Sequence, residues 1–294
     1  MEWIEAKQIV QSVKPTDGYI SRDYNMNIYR GCCHGCIYCD SRSDCYQIEN
    51  FSRVRAKKDA VALIGKELSQ KRKKGLIGTG SMSDPYNPFE ERWRLTRGAL
   101  EAVARYGFGI DVITKSPLIT RDLDLFSAIL QNAPAAAHIT ITTADDGLAG
   151  KLEPNVAPSS ARFAAMEKLS AAGVHTGVMM TPCLPWLTDT PENIAAIVER
   201  AADCGARHAV FFPGMTLRSG DREHYYAALD RLFPGLRARY ETAFGDAYEC
   251  ASPKAEALWE VFVSACEKRG LLWDFPSINR AIRETGGAKQ VSLL

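Results

Sequence analysis

The stretch "NIYRGCCHGCIYCDSRSDC", residues 27–45, carries five of the nine cysteines in a chain of 294 residues. Two spacings overlap within it. Cys32, Cys36 and Cys39 are spaced C-x3-C-x2-C, whereas Cys33, Cys36 and Cys39 are spaced C-x2-C-x2-C. Thiolates this close in sequence can turn inward and surround one soft metal centre. The stretch therefore predicts a metal centre held by three cysteines.

The downstream sequence separates the kinds of metal centre. A structural zinc site normally takes four protein ligands, typically as two separated pairs, and no second C-x2-C pair follows this stretch. A ferredoxin-type cluster uses C-x2-C-x2-C-x3-C-P. In the register that starts at Cys33, the cysteine after Cys39 is Cys45, which is too distant and has no proline after it. The register that starts at Cys32 is therefore favoured.

Charge and cysteine usage bound the cellular setting. Lys plus Arg (36) nearly cancels Asp plus Glu (35), giving a net charge of +1, so charge neither demands nor excludes a nucleic-acid partner. The start of the sequence shows no basic region followed by an apolar run, which predicts no secretory signal. No apolar run is long enough to cross a bilayer. Bunched, odd-numbered cysteines then predict reduced thiols in a cytoplasmic protein that has no membrane partner.

The pattern along the chain is a short apolar strand followed by an amphipathic helix, repeated. Strands are predicted at 25–30, 75–80, 109–114, 137–143, 174–180 and 207–212. Helices are predicted near 56–73, 94–106, 121–131, 158–172 and 190–204, the last opening with Thr190 before a proline. This alternation predicts right-handed βαβ crossovers and a parallel sheet. Six strands indicate an α/β fold of the partial (β/α)6 barrel type.

The two ends of the chain differ in pattern. Residues 1–220 contain the strand–helix alternation and are predicted to form the barrel. Residues 221–294 show aromatic and leucine positions at helical spacing and are predicted to form a C-terminal helical extension packed on the barrel. The cysteine stretch and several polar loops all follow predicted strands. In parallel α/β folds the carboxyl ends of the strands carry the active site.

The motifs resemble those of a known family. C-x3-C-x2-C with Tyr38 inside the last gap is similar to the signature loop of the radical S-adenosylmethionine (SAM) superfamily. The wider pattern "NIYRGCxHGCxYC" resembles the spore photoproduct lyase-like, or DNA repair photolyase-like, branch. The resemblance continues through "GTGSMSDPYNP" (78–88), "TKSPLITRD" (114–122) and "LEPNVAPSSARF" (152–163). It covers about residues 20–215.

The resemblance implies the cofactors and the first chemical step. Cys32, Cys36 and Cys39 are expected to hold a [4Fe–4S] cluster, leaving one iron open to chelate the amino and carboxylate groups of SAM. The reduced cluster then cleaves SAM to methionine and a 5′-deoxyadenosyl radical, which abstracts hydrogen from a substrate. A flavodoxin- or ferredoxin-like one-electron donor is implied. The cofactor supplies the difficult chemistry, and the protein positions it.

The resemblance also implies residues that contact SAM, each with an ordinary structural alternative. Ser83 and Asp84 are expected at the methionine group, or else in a polar turn. Lys115 and Thr142 are expected near SAM, or else as a solvated lysine and a buried threonine. Further candidates are Tyr38, near the adenine or shielding the iron, and the pair Glu153 and Arg162, shaping the pocket or bracing a loop.

One departure affects the reaction. The lyase carries a hydrogen-donating cysteine in the loop after the second strand, where this chain has Ser81. A serine O–H bond is too strong to donate a hydrogen atom easily, which argues against thymine-dimer reversal by that route. Cys183, in the loop "TPCLP", is the candidate donor, although a buried cysteine is usually a small apolar residue.

The sequence thus predicts a radical SAM enzyme whose substrate class is not fixed by any motif. Nucleic acid is favoured by family association. Modification of a peptide or a small molecule is the second enzyme hypothesis. The non-enzyme alternative is an iron–sulfur electron carrier or a structural metal protein.

Overall fold

The computed structural model describes residues 2–14 and 16–287. The strands are β1 (Glu2–Ile4), β2 (Val10–Ser12), β3 (Tyr24–Met26), β4 (Tyr29–Arg30), β5 (Arg55–Lys57), β6 (Leu76–Thr79), β7 (Gly109–Thr114), β8 (Ala135–Thr140), β9 (His175–Met180), β10 (His208–Phe211), β11 (Gly214–Thr216) and β12 (Glu249–Ala251). The helices are α1 (Ala60–Gln70), α2 (Glu90–Trp93), α3 (Leu95–Arg105), α4 (Leu123–Leu130), α5 (Asp146–Leu152), α6 (Ser159–Ala171), α7 (Pro191–Asp203), α8 (Asp221–Leu232), α9 (Leu236–Phe244), α10 (Ala255–Arg269) and α11 (Phe275–Arg283).

A parallel sheet forms the centre of the molecule. Within residues 2–14 and 16–287 its strands pair in the order β2-β3-β6-β7-β8-β9-β10, of which the last six are parallel. β2 pairs antiparallel with β3 at one edge. β8 and β9 are buried at every position, as expected for parallel strands covered on both faces. The prediction of a partial (β/α)6 barrel is confirmed.

Helices cover the outside of the sheet with apolar faces at helical spacing. α7 shows how the sequence sets one of them. The Thr190 hydroxyl accepts a hydrogen bond from the Asn193 amide at 3.2 Å, and Pro191 occupies the first turn. Both features favour a helix start at this point. The helix then buries Ile194, Ile197, Val198 and Ala201.

The last helix fills the interior of the barrel. α11 packs Ile278 and Ile282 against inward-facing side chains of the strands. Asn279 ties this helix to the segment before β3, since its Oδ1 accepts from the Ser21 amide at 2.8 Å and its Nδ2 donates to the Tyr19 carbonyl at 3.0 Å. The interior of the barrel is therefore closed by residues from the two ends of the described chain.

The structure corrects the first predicted strand. Residues 25–30 do not form one strand, because β3 ends at Met26 and β4 pairs with β5 in a separate small sheet of order β1-β5-β4. The Ile28 carbonyl accepts from the Lys57 amide at 3.0 Å, which holds the chain in this new direction. The turn away from the central sheet delivers the cysteine stretch to its carboxyl-terminal edge.

The tail contains one strand as well as the expected helices. β12 pairs antiparallel with β11, with Gly214 opposite Ala251. Three residues are too short for a strand period to show in the sequence. α8 and α9 pack over the cysteine stretch, and α10 packs on α7. The division of the chain at residue 220 stays a prediction.

Candidate active site

The cysteine loop, residues 31–39, is held from one side by backbone contacts. The Cys32 amide donates to the Phe51 carbonyl at 2.9 Å, and the Ser83 hydroxyl donates to the Gly31 carbonyl at 2.5 Å. Gly31 has a φ of +77°, and a Cβ there would lie 2.5 Å from the Phe51 oxygen. Only glycine fits this close approach.

The other side of the loop is held by the segment after α5. The Asn155 amide donates to the His34 carbonyl at 3.1 Å, and its side-chain Nδ2 donates to the Cys33 carbonyl at 3.0 Å. The Ile37 amide donates to the Leu152 carbonyl at 2.9 Å. All of these contacts are made to the loop's own backbone amides and carbonyls. Its cysteine side chains therefore remain available as ligands.

The three predicted ligands are shielded free thiols. Cys32 and Cys36 are buried and Cys39 is half-buried. Burial raises the pKa of each thiol, that of Cys39 to about 11. Cysteine thiolates are the ligands that hold iron–sulfur clusters. Three free thiols in one loop therefore have the donor chemistry that such a cluster requires.

The neighbouring cysteines of the stretch lie elsewhere. Cys33 is half-buried and faces a separate hollow with Ser52, Arg53 and Phe89. Cys45 is exposed, and its Sγ lies 3.3 Å from Nη1 of Arg218. Cys39 lines the cavity described below, whereas Cys32, Cys33, Cys36 and Cys45 do not. The cavity lining therefore does not separate the two registers, and the register that starts at Cys32 stays a prediction.

A cavity of about 640 Å³, the main cavity, lies at the carboxyl ends of the strands. Cys39 and Tyr38 form part of its wall, as do Ser81 after β6, Lys115 after β7 and Phe212 after β10. A pocket of this size is typical for a small-molecule ligand. The cavity therefore places one predicted cluster ligand beside space for SAM and a substrate.

Lys115 and Asp84 belong to one cluster of contacts, but only Lys115 lines the main cavity. Nζ of Lys115 lies 5.7 Å from the centre of the Tyr38 ring. The carboxylate of Asp84 accepts from the Lys115 amide at 2.8 Å, from the Thr114 hydroxyl at 2.6 Å and from the Tyr86 amide at 2.8 Å. Asp84 thus orders the loops on which Lys115 is mounted.

Ser83 and Thr142 lie behind the cavity wall. The hydroxyl of Ser83 is used by the Gly31 carbonyl, as described above. Thr142 is buried, and its hydroxyl has no hydrogen-bond partner among the described residues. The Thr142 carbonyl accepts from Nδ2 of Asn193 at 3.1 Å. The structure therefore gives Ser83 a bracing contact and leaves the Thr142 hydroxyl unused.

Glu153 and Arg162 form a buried pair behind Tyr38. Glu153 accepts from the Tyr38 hydroxyl with one oxygen and from the Arg162 guanidinium with the other. Arg162 also donates to the Thr140 carbonyl at 2.9 Å and to the Ala157 carbonyl at 2.8 Å. Burial, and then the Glu153 carboxylate, raises the pKa of Tyr38 well above its usual value. The pair fixes Tyr38 in the cavity wall without reaching the cavity.

Cys183 lies in the hydrophobic core next to the cavity. Its neighbours Thr181 and Pro182 line the wall, whereas Cys183 is 2% exposed and packs with core side chains. Burial raises the pKa of its thiol to about 12. The structure does not bring this thiol to the cavity, and its role as a hydrogen donor stays a prediction.

A line of polar side chains inside the barrel was missed by the sequence analysis. It begins at Ser81, whose hydroxyl accepts from Nη1 of Arg22 at 3.1 Å. Nε of Arg22 donates to Asp111 at 2.6 Å. The other oxygen of Asp111 lies 2.5 Å from Nε2 of His138, off the line of a good hydrogen bond. Burial alone would raise the pKa of Asp111, but Arg22 and His138 hold it well below its usual range.

The line continues through two more histidines. Nδ1 of His138 lies 2.9 Å from Nε2 of His208, and Nδ1 of His208 lies 3.1 Å from Nε2 of His175. Burial lowers the pKa of His208, and that of His175 to about 3. The lowered pKa values keep the His208 and His175 rings neutral, and the Asp111 carboxylate beside Nε2 of His138 favours a proton on that nitrogen. The order of contacts then matches Nε2 as donor and Nδ1 as acceptor. We name Arg22, Asp111, His138, His208 and His175 the polar layer.

Two glycines make room for the polar layer. A Cβ at Gly78 would lie 1.9 Å from Cδ of Arg22, and one at Gly177 would lie 2.0 Å from Nε2 of His208. The sequence signal was a single polar residue inside each of several apolar strands, as in "GIDVIT" and "AHITIT". Such residues suggest inward polar positions, but nothing in the sequence pairs one strand's residue with the next.

Asp221, at the start of α8, is a buried carboxyl close enough to Asp40 to feel its charge. Both of its oxygens lack a hydrogen-bond partner among the described residues. Burial, and then the nearby Asp40 carboxylate, raises the pKa of Asp221 to about 7. Asp40 itself lines the main cavity.

Comparison with known proteins places these features in a family. Residues 26–195 match the radical SAM superfamily, which is more than half of the chain. The chain therefore belongs to the radical SAM superfamily. It is an enzyme that uses a [4Fe–4S] cluster and SAM, so the predicted class and cofactors are confirmed.

Individual relatives narrow the resemblance. An uncharacterized protein of Mycobacterium tuberculosis is 30% identical over 229 residues, which cover 75% of this chain and 67% of that protein. The radical SAM Nalpha-GlyT isomerase of Pseudomonas phage M6 is 22% identical over 179 residues, covering 61% of this chain and 36% of the isomerase.

Solved structures show the same fold. A mutant of spore photoproduct lyase superposes with a TM-score of 0.65 at 15% identity, covering 92% of this chain and 81% of the lyase. A lyase structure with bound AdoMet and dinucleoside spore photoproduct gives a TM-score of 0.63. The predicted resemblance to this lyase thus holds at the level of the fold. No helix in residues 2–14 and 16–287 combines the length and apolar character that a membrane span requires.

Proposed function

We propose that this radical SAM enzyme abstracts hydrogen from a nucleobase or its sugar in a nucleic acid. Cys32, Cys36 and Cys39 hold the cluster in this proposal, with SAM in the main cavity beside Tyr38 and Lys115. The observation that carries the proposal is the composition of the main cavity, which joins a cluster ligand, a cation and exposed aromatic rings in one pocket.

The bound cluster and SAM supply the reductive cleavage that starts the radical reaction. The protein positions the cluster, SAM and the substrate relative to one another. Burial of Cys32 and Cys36 keeps bulk water from their sulfurs, and Tyr38 lies beside Cys39 in the cavity wall. Lys115 presents a cation to the cavity, where it is suited to a carboxylate or phosphate. Asp84, Glu153 and Arg162 act through Lys115 and Tyr38, and are positioning residues in this proposal.

Aromatic rings at the cavity favour a planar substrate. Tyr19 and Phe212 line the cavity with ring centroids 6.4 Å apart and planes inclined by 18°, and Phe212 is 40% exposed. Arg218 lies 5.9 Å from the ring of Tyr46, which also lines the cavity, and 4.4 Å from that of Tyr248. Exposed rings and arginine planes are the groups on which unpaired bases stack.

A protein of similar structure supports the same substrate class. The lyase structure named above holds a dinucleoside photoproduct together with AdoMet. Ser81 replaces the lyase's hydrogen-donating cysteine, so we propose hydrogen abstraction without the lyase's thymine-dimer reversal. We further propose a cytoplasmic setting, a flavodoxin- or ferredoxin-like reductant, and a catalytic barrel of residues 1–220 with an extension of residues 221–294.

The chemistry is tested without knowledge of the substrate. Protein reconstituted anaerobically with iron and sulfide is mixed with SAM and dithionite, and 5′-deoxyadenosine is measured by chromatography. We expect product from the parent chain and none from the Cys36→Ala variant. An intact cluster that yields no 5′-deoxyadenosine would contradict the proposed role of the cavity.

The substrate class is tested by label transfer. Nucleic acid and protein fractions from cells grown on deuterated medium are added separately to the same assay. We expect deuterium in 5′-deoxyadenosine from the nucleic-acid fraction alone. Label from the protein fraction, or none from either while unlabelled product continues to form, would overturn the nucleic-acid substrate and leave the radical chemistry standing.

A further inference from the structure

The basic segment "RVRAKK", residues 53–58, has no role in the proposed reaction, yet the structure places its beginning against the cysteine loop. The Cys32 amide donates to the Phe51 carbonyl at 2.9 Å. A Cβ on Gly31 would lie 2.9 Å from the Arg53 carbonyl oxygen. A hydrogen bond therefore joins the segment of residues 51–53 directly to Cys32, a ligand of the proposed cluster.

This surface lies on a different face of the cysteine loop from the main cavity. A hollow of about 420 Å³ is lined by Glu2, Cys33, Ser52, Arg53, Val54 and Phe89. None of these six residues lines the main cavity, where Cys39 is found. With SAM and substrate in the main cavity, the hollow beside Cys33 is a second approach to the cluster that they leave free.

Arginines lie in the segments that line or adjoin the hollow. Arg53 lines it, and Arg30 and Arg55 are paired beside it in sequence, next to Gly31 and Val54. Nη2 of Arg42 donates to the Ser52 hydroxyl at 2.8 Å. Nη2 of Arg30 donates to the Gln47 carbonyl at 2.7 Å, and Nη2 of Arg55 donates to the Glu49 carbonyl at 2.7 Å. All three acceptors are neutral, so these bonds orient the guanidinium groups without cancelling their charge. Together with Arg53, we name Arg30, Arg42 and Arg55 the arginine face.

The like charges of the arginine face lower the stability of the fold. Arg30 and Arg55 are directly opposite each other in the β4–β5 pair, and like charges in that position are destabilising. Nε of Arg42 and of Arg55 has no hydrogen-bond partner among the described residues. Glu2 offsets part of the charge, at 3.1 Å from the exposed Arg53. Excess positive charge remains on a chain whose net charge is only +1.

We propose that the arginine face is the docking surface for a small acidic one-electron carrier protein, which reduces the cluster through the Cys32 side of the loop. This inference rests on the proposed function, because it needs a cluster at Cys32, Cys36 and Cys39. In the step, the reduced carrier loses one electron and the cluster gains it, and no bond or proton moves. Complementary charge raises the rate of such an encounter and makes it sensitive to salt.

The test uses reduced flavodoxin as the carrier and the double variant Arg30→Gln/Arg55→Gln in the reconstituted protein. Bleaching of the visible cluster absorbance gives the rate of reduction. We expect the rate with flavodoxin to fall about tenfold at low ionic strength, with a shallower dependence on salt. Reduction by dithionite, which needs no docking, should be unchanged. Thermal stability should be equal or higher, because the repulsive pair is removed.

A matched variant and a second measurement sharpen the test. Lys168→Gln/Lys268→Gln removes the same charge from α6 and α10, which pack beside β8–β10, and should leave the flavodoxin rate unchanged. Binding of flavodoxin to the cluster-free protein, followed by its flavin fluorescence, should weaken for Arg30→Gln/Arg55→Gln and for Arg42→Gln alone. Equal rates and equal salt dependence in parent and double variant would overturn the docking surface. Failure of the proposed function appears separately, as absence of 5′-deoxyadenosine with dithionite.

Discussion

The cysteine loop and the polar layer are both rich in groups that bind metals or protons, but they are held in opposite ways. Backbone carbonyls and amides of residues 51 and 152–155 hold the loop, so the three thiols remain unused by the protein. In the polar layer each side chain contacts the next, from Arg22 through Asp111 to the histidines. The three thiols of the loop are available to a ligand, whereas the layer side chains are committed to the scaffold.

This difference separates binding residues from stabilising ones. A group whose polar atoms are already paired by the protein contributes to folding, and its removal leaves a partner buried without compensation. A group held by its backbone alone is dispensable to the fold and required by the ligand. Substitutions in the two regions should therefore affect different measurements.

The largest effect is expected in the loop. Cys32→Ala, Cys36→Ala and Cys39→Ala should each lose the cluster and all 5′-deoxyadenosine formation, whereas Cys33→Ala should keep both. Iron and sulfide content per chain and the visible spectrum measure the outcome. Loss of the cluster in Cys33→Ala with retention in Cys32→Ala would move the ligand register to Cys33.

A large effect on stability is expected in the polar layer. Asp111→Ala leaves the Arg22 guanidinium buried without a counter-charge, and should lower the free energy of unfolding by about 3–5 kcal/mol. Urea unfolding of the cluster-free protein measures it. Asp124→Ala is the matched control, since that carboxylate pairs with Arg97 while 59% exposed, and should cost less than about 1 kcal/mol. Equal costs for both variants would show that the buried Asp111 contributes no more to folding than the exposed Asp124.

A steric change tests the packing of the same layer. Gly177→Ala places a methyl group where the His208 ring lies and should destabilise the protein by about 1–3 kcal/mol. Gly150→Ala in α5, where a Cβ meets nothing within 4 Å, should be neutral or stabilising by up to about 1 kcal/mol. Thermal unfolding of the two variants side by side gives the comparison. A Gly177→Ala variant as stable as Gly150→Ala would show that the ring moves at no cost.

An effect of pH on stability is expected at Asp221. Its carboxyl is buried like the polar layer, but it has no hydrogen-bond partner among the described residues. Its folded pKa of about 7 lies above the usual value of 3.8, so unfolding releases a proton between these values. Stability should therefore fall as pH rises from about 4 to 7 and level off above, by up to about 4 kcal/mol in total. Asp221→Asn should remove this slope and be more stable than the parent at pH 8. Parallel stability curves for parent and variant across this range would contradict the assignment.

The features that could be predicted from the sequence are those set by local patterns of residues. Alternating strands and helices led to the partial barrel, and C-x3-C-x2-C led to the cofactor class. The Thr190–Pro191 start of α7 was visible because a helix cap is set by adjacent residues. Each of these features depends on residues that are close in sequence.

What the sequence missed depends on contacts between distant residues. The polar layer joins single residues of β7, β8, β9 and β10, and no pattern within one strand pairs them. The inward position of Cys183 depends on packing in the core. Ser83 and Asp84 were expected at SAM from the family resemblance, and that role stays a prediction. Their contacts with the Gly31 carbonyl and the Lys115 amide join distant residues and are seen only in the structure.

The hydrogen bonds that join Asn279 of α11 to Tyr19 and Ser21 have a consequence for the order of folding. The contact with Ser21 spans 258 positions along the chain, and contacts of such separation form late because the whole intervening loop must first be closed. Nearest-neighbour pairs such as β7 with β8 are able to assemble earlier. The interior of the barrel, with the polar layer inside it, becomes sealed from water only when α11 docks, so the last helix sets the moment at which the fold becomes complete.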